Sequence, residues 1–309
     1  MKKRVAFINA ATGCSETINS QDFLDYSRKR PEDFTRKRKM PFVKLVVFMI
    51  NTCKFAIQCK LDLFFENLGV EQIHMSQQSF SEARKKIRWE SFQYLFKSNV
   101  DFIYTGYYET WHGFRVSAID GSKIQIPDDP KLKVYFGTMG SNNTANTAQA
   151  SALYDVFNNV LMDAQLEPLT IGERELAIRH IESLRSLSSF RRECVLFDRG
   201  YASFALIELL KLNNVSFVMR VKRGFNNDID RLGKGDHKVC LKKDGHDDIS
   251  VRVIKFTLSS GEEEILVTDI VDKRMGVQAF KKLYFKRWPI LYASFCFAHL
   301  FFTRLWYCG

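Results

Sequence analysis

Proline and glycine are scarce in this chain, 6 and 16 in 309 residues, which argues against collagen-like, low-complexity or linker-dominated architectures. Cys-x-x-Cys pairs are missing. The seven cysteines (Cys14, Cys53, Cys59, Cys194, Cys240, Cys296, Cys308) are an odd, scattered set, a pattern that suggests a reduced cytoplasm and no structural zinc site. His74, His112, His180, His237, His246 and His299 show no metal-ligand spacing, so each is read as neutral and structural. There is no glycine-rich phosphate loop to indicate nucleotide chemistry. The N-terminal run MKKRVAFINAATGCSETINS is broken by Asn9 and Thr12, too weak for an export signal. What the chain does have is 46% hydrophobic residues, enough for a sizeable core, and a charge imbalance of 46 Lys and Arg against 35 Asp and Glu, a net +11. That balance favours a polyanionic partner, with nucleic acid ahead of an anionic membrane surface.

The basic residues are not spread evenly. Arg28-Lys29-Arg30 and Arg36-Lys37-Arg38-Lys39 form two clusters, either a solvated segment or an arm that contacts phosphates. The apolar stretch PFVKLVVFMINTCKFAIQCKLDLFFENLG follows, interrupted by Lys44, Lys54 and Lys60, which favours a buried helix or helix pair over a membrane span. In MSQQSFSEARKKIRWESFQYLFKSNVDFIY, Ser76 or Ser79 is a candidate helix cap, Phe80, Ala83 and Ile87 share one face, and Arg84, Lys85 and Arg88 fall on the other. A short helix, a break and an amphipathic basic helix is a shape that enters a DNA groove, although a solvated helix has the same pattern.

From about Trp111 the period changes. FRVSAIDGSKIQIP, ANTAQASALYDVFNN and VLMDAQLEPL read as three strands of an antiparallel meander, with Asn158-Asn159 turning the last two. A helix over residues 171–190, a strand in RRECVLFDRG, a helix in YASFALIELLKLNN and a strand in VSFVMRVKR complete a β-β-β-α-β-α-β order, hence an α/β fold with helices on a mixed sheet. Residues 224–268 read as an all-β insertion, and helix returns near Gly276. The expected organisation is therefore a helical, basic region over 1–110, a core over 111–290 and a separate tail over 291–309.

Asp120 precedes Gly121 at the end of an apolar strand, and Asp198 precedes Arg199-Gly200 in the same way. Two carboxylates at strand ends of one sheet can converge on an edge and hold divalent ions, which suits in-line phosphoryl chemistry. Asp before Gly is equally a common turn pair. Asp155, Asp163, Glu173 and Glu175 are further carboxylates that strand position alone does not rank.

AIDGSKIQIP, QASALYDVFNNVLMDAQLEP, ERELA, LFDRGYAS, FVMRVKR and LYFKRWPI occur in that order. Together they resemble the DDE transposases of the insertion-sequence-four family, over roughly residues 40–290. The resemblance implies an RNase H-like core and DNA cleavage and strand transfer at the inverted-repeat ends of a mobile element. It also implies two Mg2+ ions held by Asp, Asp and Glu, and a dimer on DNA. By that resemblance Asp120 and Asp198 are the first two acids, and Tyr284 and Arg287 contact the DNA end. Arg199, Lys222 and Arg223 lie beside the implied site as candidate backbone contacts. The family's third acid follows in a Tyr-x2-Arg-x3-Glu-x6-Lys signature, but here Leu291 stands at the glutamate position and Ala298 at the lysine position. The tail LYASFCFAHLFFTRLWYCG holds no Asp, Glu or Lys and reads as a frameshifted ending, with a buried helix and a membrane segment as rivals. The combined expectation is a cytoplasmic, nucleoid-associated transposase with impaired chemistry, or a non-catalytic DNA-binding remnant that inhibits an intact one.

Overall fold

The computed structural model describes residues 2–36, 38–51, 56–70, 73–140, 144–186, 192–288 and 290. Leu291, Ala298 and the rest of the tail lie outside the described residues. The described residues divide into two units, one up to Tyr108 and one from Glu109 to Ile290.

The first unit is helical: α1 Lys2–Asn19, α2 Gln21–Ser27, α3 Phe42–Ile50, α4 Ile57–Asn67, α5 Gln77–Arg84 and α6 Glu90–Thr105. Ser20 and Ser76 cap α2 and α5, their hydroxyls accepting the N–H of Phe23 and Ser79. Capping oxygens satisfy amides that have no partner in the first helical turn. Phe23, Leu45, Phe48, Leu61, Phe65 and Phe80 form the core, with Phe48 and Phe80 meeting edge to face at 5.0 Å. The apolar stretch after Pro41 thus supplies two core helices, α3 and α4. Among the described residues no helix is long and apolar enough to cross a membrane.

The helix of the basic motif ends earlier than its side-chain pattern suggests. Lys29 donates to the Lys86 carbonyl and Arg88 to that of Ser27, both at 2.9 Å. An antiparallel bridge between Arg28 and Ile87 fixes this pairing. Backbone groups engaged across chain segments cannot also serve a helix. Arg84 is therefore the last residue of α5 and Lys85 its cap, while Arg88 lies in the link to α6 and off the helix face it was expected to share with them.

The second unit contains β1 Phe114–Gln125, α7 Pro130–Phe136, β2 Thr138–Met139, β3 Ala145–Asp155, β4 Val160–Glu167, α8 Glu173–Ser186, β5 Arg192–Phe197, α9 Phe204–Leu212, β6 Ser216–Val221, α10 Asn227–Asp230, β7 Gly235–Leu241, β8 Ile249–Thr257, β9 Glu263–Thr268 and α11 Val277–Phe285. The nine strands make one sheet in the order β2-β3-β1-β5-β6-β9-β8-β7, with β4 also on β3. β1, β3 and β4 are the antiparallel meander, while β5 and β6 run parallel to β1. A meander followed by two crossover strands, in the order β4-β3-β1-β5-β6, is an RNase H-like arrangement. The β-rich segment after Gly224 joins the same sheet, because β9 pairs antiparallel with β6 from Val218↔Thr268 to Val221↔Ile265. It also contains the short helix α10.

Alternation along the strands builds the core. Phe114, Val116 and Ala118 of β1, Cys194 and Leu196 of β5, and Val218 of β6 pack with Phe280, Leu283 and Tyr284 of α11. Inside the sheet, Arg115 faces Glu193 in register and is fully buried. Its Nε and Nη2 donate to the Glu193 carboxylate at 2.9 and 2.6 Å. Burial pushes the Glu193 carboxyl up, although Arg115 opposes the shift.

Candidate functional site

β1 and β5 place the two aspartates together. Ala118 pairs with Leu196 in the parallel ladder, and two residues further along each chain stand Asp120 and Asp198. Asp198 follows the last residue of β5, as expected. Asp120 does not end its strand: Gly121 through Gln125 stay paired with β3, from Gly121↔Ser151 to Gln125↔Thr147. The edge at Asp120 arises because β5 stops beside it, so β1 continues with one neighbour fewer.

The chain turns sharply after Asp198, and the Tyr201 N–H donates to the Asp198 carbonyl at 3.1 Å. From α11, the Tyr284 hydroxyl lies 3.3 Å from the Phe197 carbonyl and 3.4 Å from Asp198 Oδ1. Arg287 Nη2 is 3.9 Å from the same oxygen. Both side chains are buried, which is unusual for arginine unless a partner holds its charge. Of the residues expected near the two acids, Tyr284 and Arg287 thus meet Asp198 directly. Arg199 follows it and is exposed; Lys222 and Arg223 leave the end of the parallel strand β6 and are exposed as well, Arg223 bonding Glu263 at 3.2 Å. Arg84, Lys85 and Arg88 belong to the helical unit, where Lys85 pairs with Glu82 at 2.9 Å.

Two further acids bear on this cluster: Glu173, which sequence reasoning named as a possible substitute without geometry to support it, and Glu264, which it did not name. Burial raises the Asp120 carboxyl to about 6; Arg287 opposes this, while Asp198 and Glu173 push it higher. Glu173 opens α8, in the ERELA motif. Arg174, its neighbour, reaches the turn after Asp198, with Nη2 3.3 Å from the Gly200 carbonyl and 3.4 Å from that of Ala202. Glu264 is buried in β9 and lies 3.6 Å from Arg220; burial raises its carboxyl against the pull of Arg220. Only folding brings these acids near Asp120 and Asp198, so spacing along the chain could not select them.

The Tyr201 hydroxyl is buried without a hydrogen-bond partner among the described residues. Burial and then the charges of Glu173, Asp120 and Asp198 push its phenol well above the usual range. Among the described residues no three His, Cys, Asp or Glu side chains form a group that could hold a metal ion. The donor chemistry nevertheless suits a hard divalent cation, since Asp120 feels the charges of Asp198 and Glu173, and the orphan Tyr201 hydroxyl feels all three.

A second polar network underlies the site. His180 Nδ1 is 2.8 Å from Asp163 Oδ2, and its Nε2 is 3.0 Å from Ser151 Oγ. Ser151 in turn lies 3.4 Å from the Asp120 carbonyl oxygen. Burial pushes Asp163 up, but the hydrogen bond and charge of His180 outweigh it and hold the carboxyl below its usual value. Ser151 of β3 and His180 of α8 are fully buried.

Residues 111–290 match the family described as Transposase DDE domain. InsZ of Escherichia coli (strain K12), named a candidate transposase, is 26% identical over 145 residues, 45% of this chain and 46% of InsZ. The match thus spans about half the length of that relative. A cryo-EM structure of a piggyBac transposase synaptic complex with hairpin DNA aligns with a TM-score of 0.46 at 12% identity, over 94% of this chain and 73% of that one.

Proposed function

The chain belongs to the transposase DDE domain family, and from that premise we propose that it acts on the DNA ends of a mobile element, of the insertion-sequence-four type, through Asp120 and Asp198. The observation that carries this reading is the meeting of the two aspartates where β5 ends, with Asp198 met by Tyr284 of α11 and by Arg287 just past its end. A divalent ion such as Mg2+, when bound, would stabilise charge on the attacking and leaving oxygens of a phosphodiester. The two aspartates would hold it. Tyr284 and Arg287 orient Asp198 and bring a cation toward a DNA phosphate, while exposed Arg199 and Lys222 add positive charge along the same edge. Arg223, held by Glu263, reaches DNA by releasing that partner. Arg84, Lys85 and Arg88 supply phosphate contacts from the helical unit, and two copies assemble on a pair of inverted-repeat ends.

Leu291 at the glutamate position removes one ligand and one negative charge, so strand cleavage is impaired. A non-catalytic DNA-binding remnant that blocks an intact transposase is the second reading, favoured by the same substitution and by the absence of Asp, Glu and Lys from residues 291–309. Incubating the full chain with Mg2+ and end-labelled inverted-repeat DNA separates the two. Cleavage abolished by Asp120→Ala or Asp198→Ala identifies an impaired enzyme. Binding without cleavage identifies the remnant, and neither binding nor cleavage rejects the proposal. The nucleotide sequence after codon 290 tests the frameshift, which is wrong if a one-base shift does not restore Glu and Lys at the family spacing.

A further inference from the structure

Glu173 stands at the first position of α8, exposed, with no hydrogen bond or ion pair to it among the described residues. Its surroundings are specific. Gly121, the residue after Asp120, has no side chain, and a Cβ built there would meet Glu173 Cγ at 3.3 Å and Gln149 Nε2 at 3.2 Å. The glutamate therefore lies against the strand in the space a larger residue would fill. Arg174 fastens the same helical turn to the carbonyls of Gly200 and Ala202 in the Asp198 turn. One short segment is thus tied to both acid-bearing elements.

Two orphan donors mark this spot independently of the acids. The Tyr201 hydroxyl and the Gln149 side-chain nitrogen are both buried, and neither has a partner among the described residues. Buried polar groups are left unpaired rarely, and each instance calls for an unseen water, ion or ligand. Glu264 is the rival acid, but Arg220 already holds it.

We propose that Glu173, reaching over Gly121, joins Asp120 and Asp198 as the third carboxylate ligand of a divalent cation, with the Tyr201 hydroxyl and Gln149 amide donating to oxygens bound on that ion. This rests on the two-aspartate reading above. Glu173 already acts electrostatically on Asp120, and its exposed side chain has no hydrogen bond or ion pair among the described residues to break before it turns.

Mn2+ titration of the full chain, read by the EPR signal of free Mn2+, tests the assignment without DNA or turnover. Glu173→Gln is expected to weaken Mn2+ binding by about tenfold or more, as loss of a supporting metal-site group does, with circular dichroism unchanged. Gly121→Val, which keeps every charge but occupies the space beside Glu173, is expected to weaken it as well. Binding unchanged in Glu173→Gln but lost in Asp120→Asn overturns the role of Glu173 and leaves the two-aspartate reading standing. Binding unchanged in Asp120→Asn, or no Mn2+ binding by the unaltered chain, overturns both.

Discussion

Replacing Arg115 by Met removes the cation from a closed pair in the middle of the sheet. Glu193 would remain buried in β5 with no arginine opposite, while Asp155 adds like charge nearby. Breaking such a pair from one side costs about 3–5 kcal/mol. Proton uptake limits the loss, because a carboxyl with an ordinary pKa near 4.3 can be neutralised at pH 7 for about 3.7 kcal/mol and at pH 5 for about 1 kcal/mol. The destabilisation is therefore expected at about 3–4 kcal/mol at pH 7 and about 1 kcal/mol at pH 5. The sign follows from linkage: Glu193, raised in the folded state, takes its proton there first, so stability falls as pH rises from the unfolded value through the folded one. Hydrogen exchange of peptides covering β1 and β5 reads the opening of this unit, and a tenfold change corresponds to about 1.4 kcal/mol. A loss below about 1 kcal/mol at pH 7, or one that does not shrink at pH 5, refutes the reasoning. The double variant Arg115→Met, Glu193→Met should recover most of the loss, since both charges leave together.

Three further outcomes follow from other parts of the molecule. Asp120, raised to about 6 by burial, is more than half protonated below that pH; Mn2+ binding should therefore release protons in calorimetry at pH 6 and almost none at pH 8, and equal release at both would contradict the shift. Phe280 is fully buried and meets the Trp111 ring at 5.6 Å, so Phe280→Ala should cost about 3–5 kcal/mol in urea unfolding, and a cost under about 1 kcal/mol would mean that α11 is not anchored there. If Arg84, Lys85 and Arg88 each touch a phosphate, their joint replacement by Ala should lower the salt dependence of DNA binding by about three in slope; an unchanged slope removes them from the interface.

Much of the core was legible because its signals are local. The meander, the strand of RRECVLFDRG and the helix of ERELA each follow from period and turn residues, and Asp198 fell where its strand ends. Pairings between distant segments were not legible. Nothing in residues 85–88 announces that residues 27–29 take up their backbone groups and bend the basic motif out of helix. Nor does the segment after Gly224 reveal that β9 extends the sheet from β6. Glu173 was visible only as one acid among several, because its relation to Asp120 runs through the empty side-chain position of Gly121.

The Ser151–His180–Asp163 chain has the atom order of a hydrolase triad, and a search by side-chain geometry would retrieve it as one. Its serine, on β3, and its histidine, on α8, are fully buried, where no scissile bond can arrive. The same three groups that make a nucleophile at a surface act here as a peg between α8, β3 and β4. Access, more than the arrangement of donors and acceptors, separates a reagent from a rivet. In this protein the rivet sits one hydrogen bond away from the backbone of Asp120.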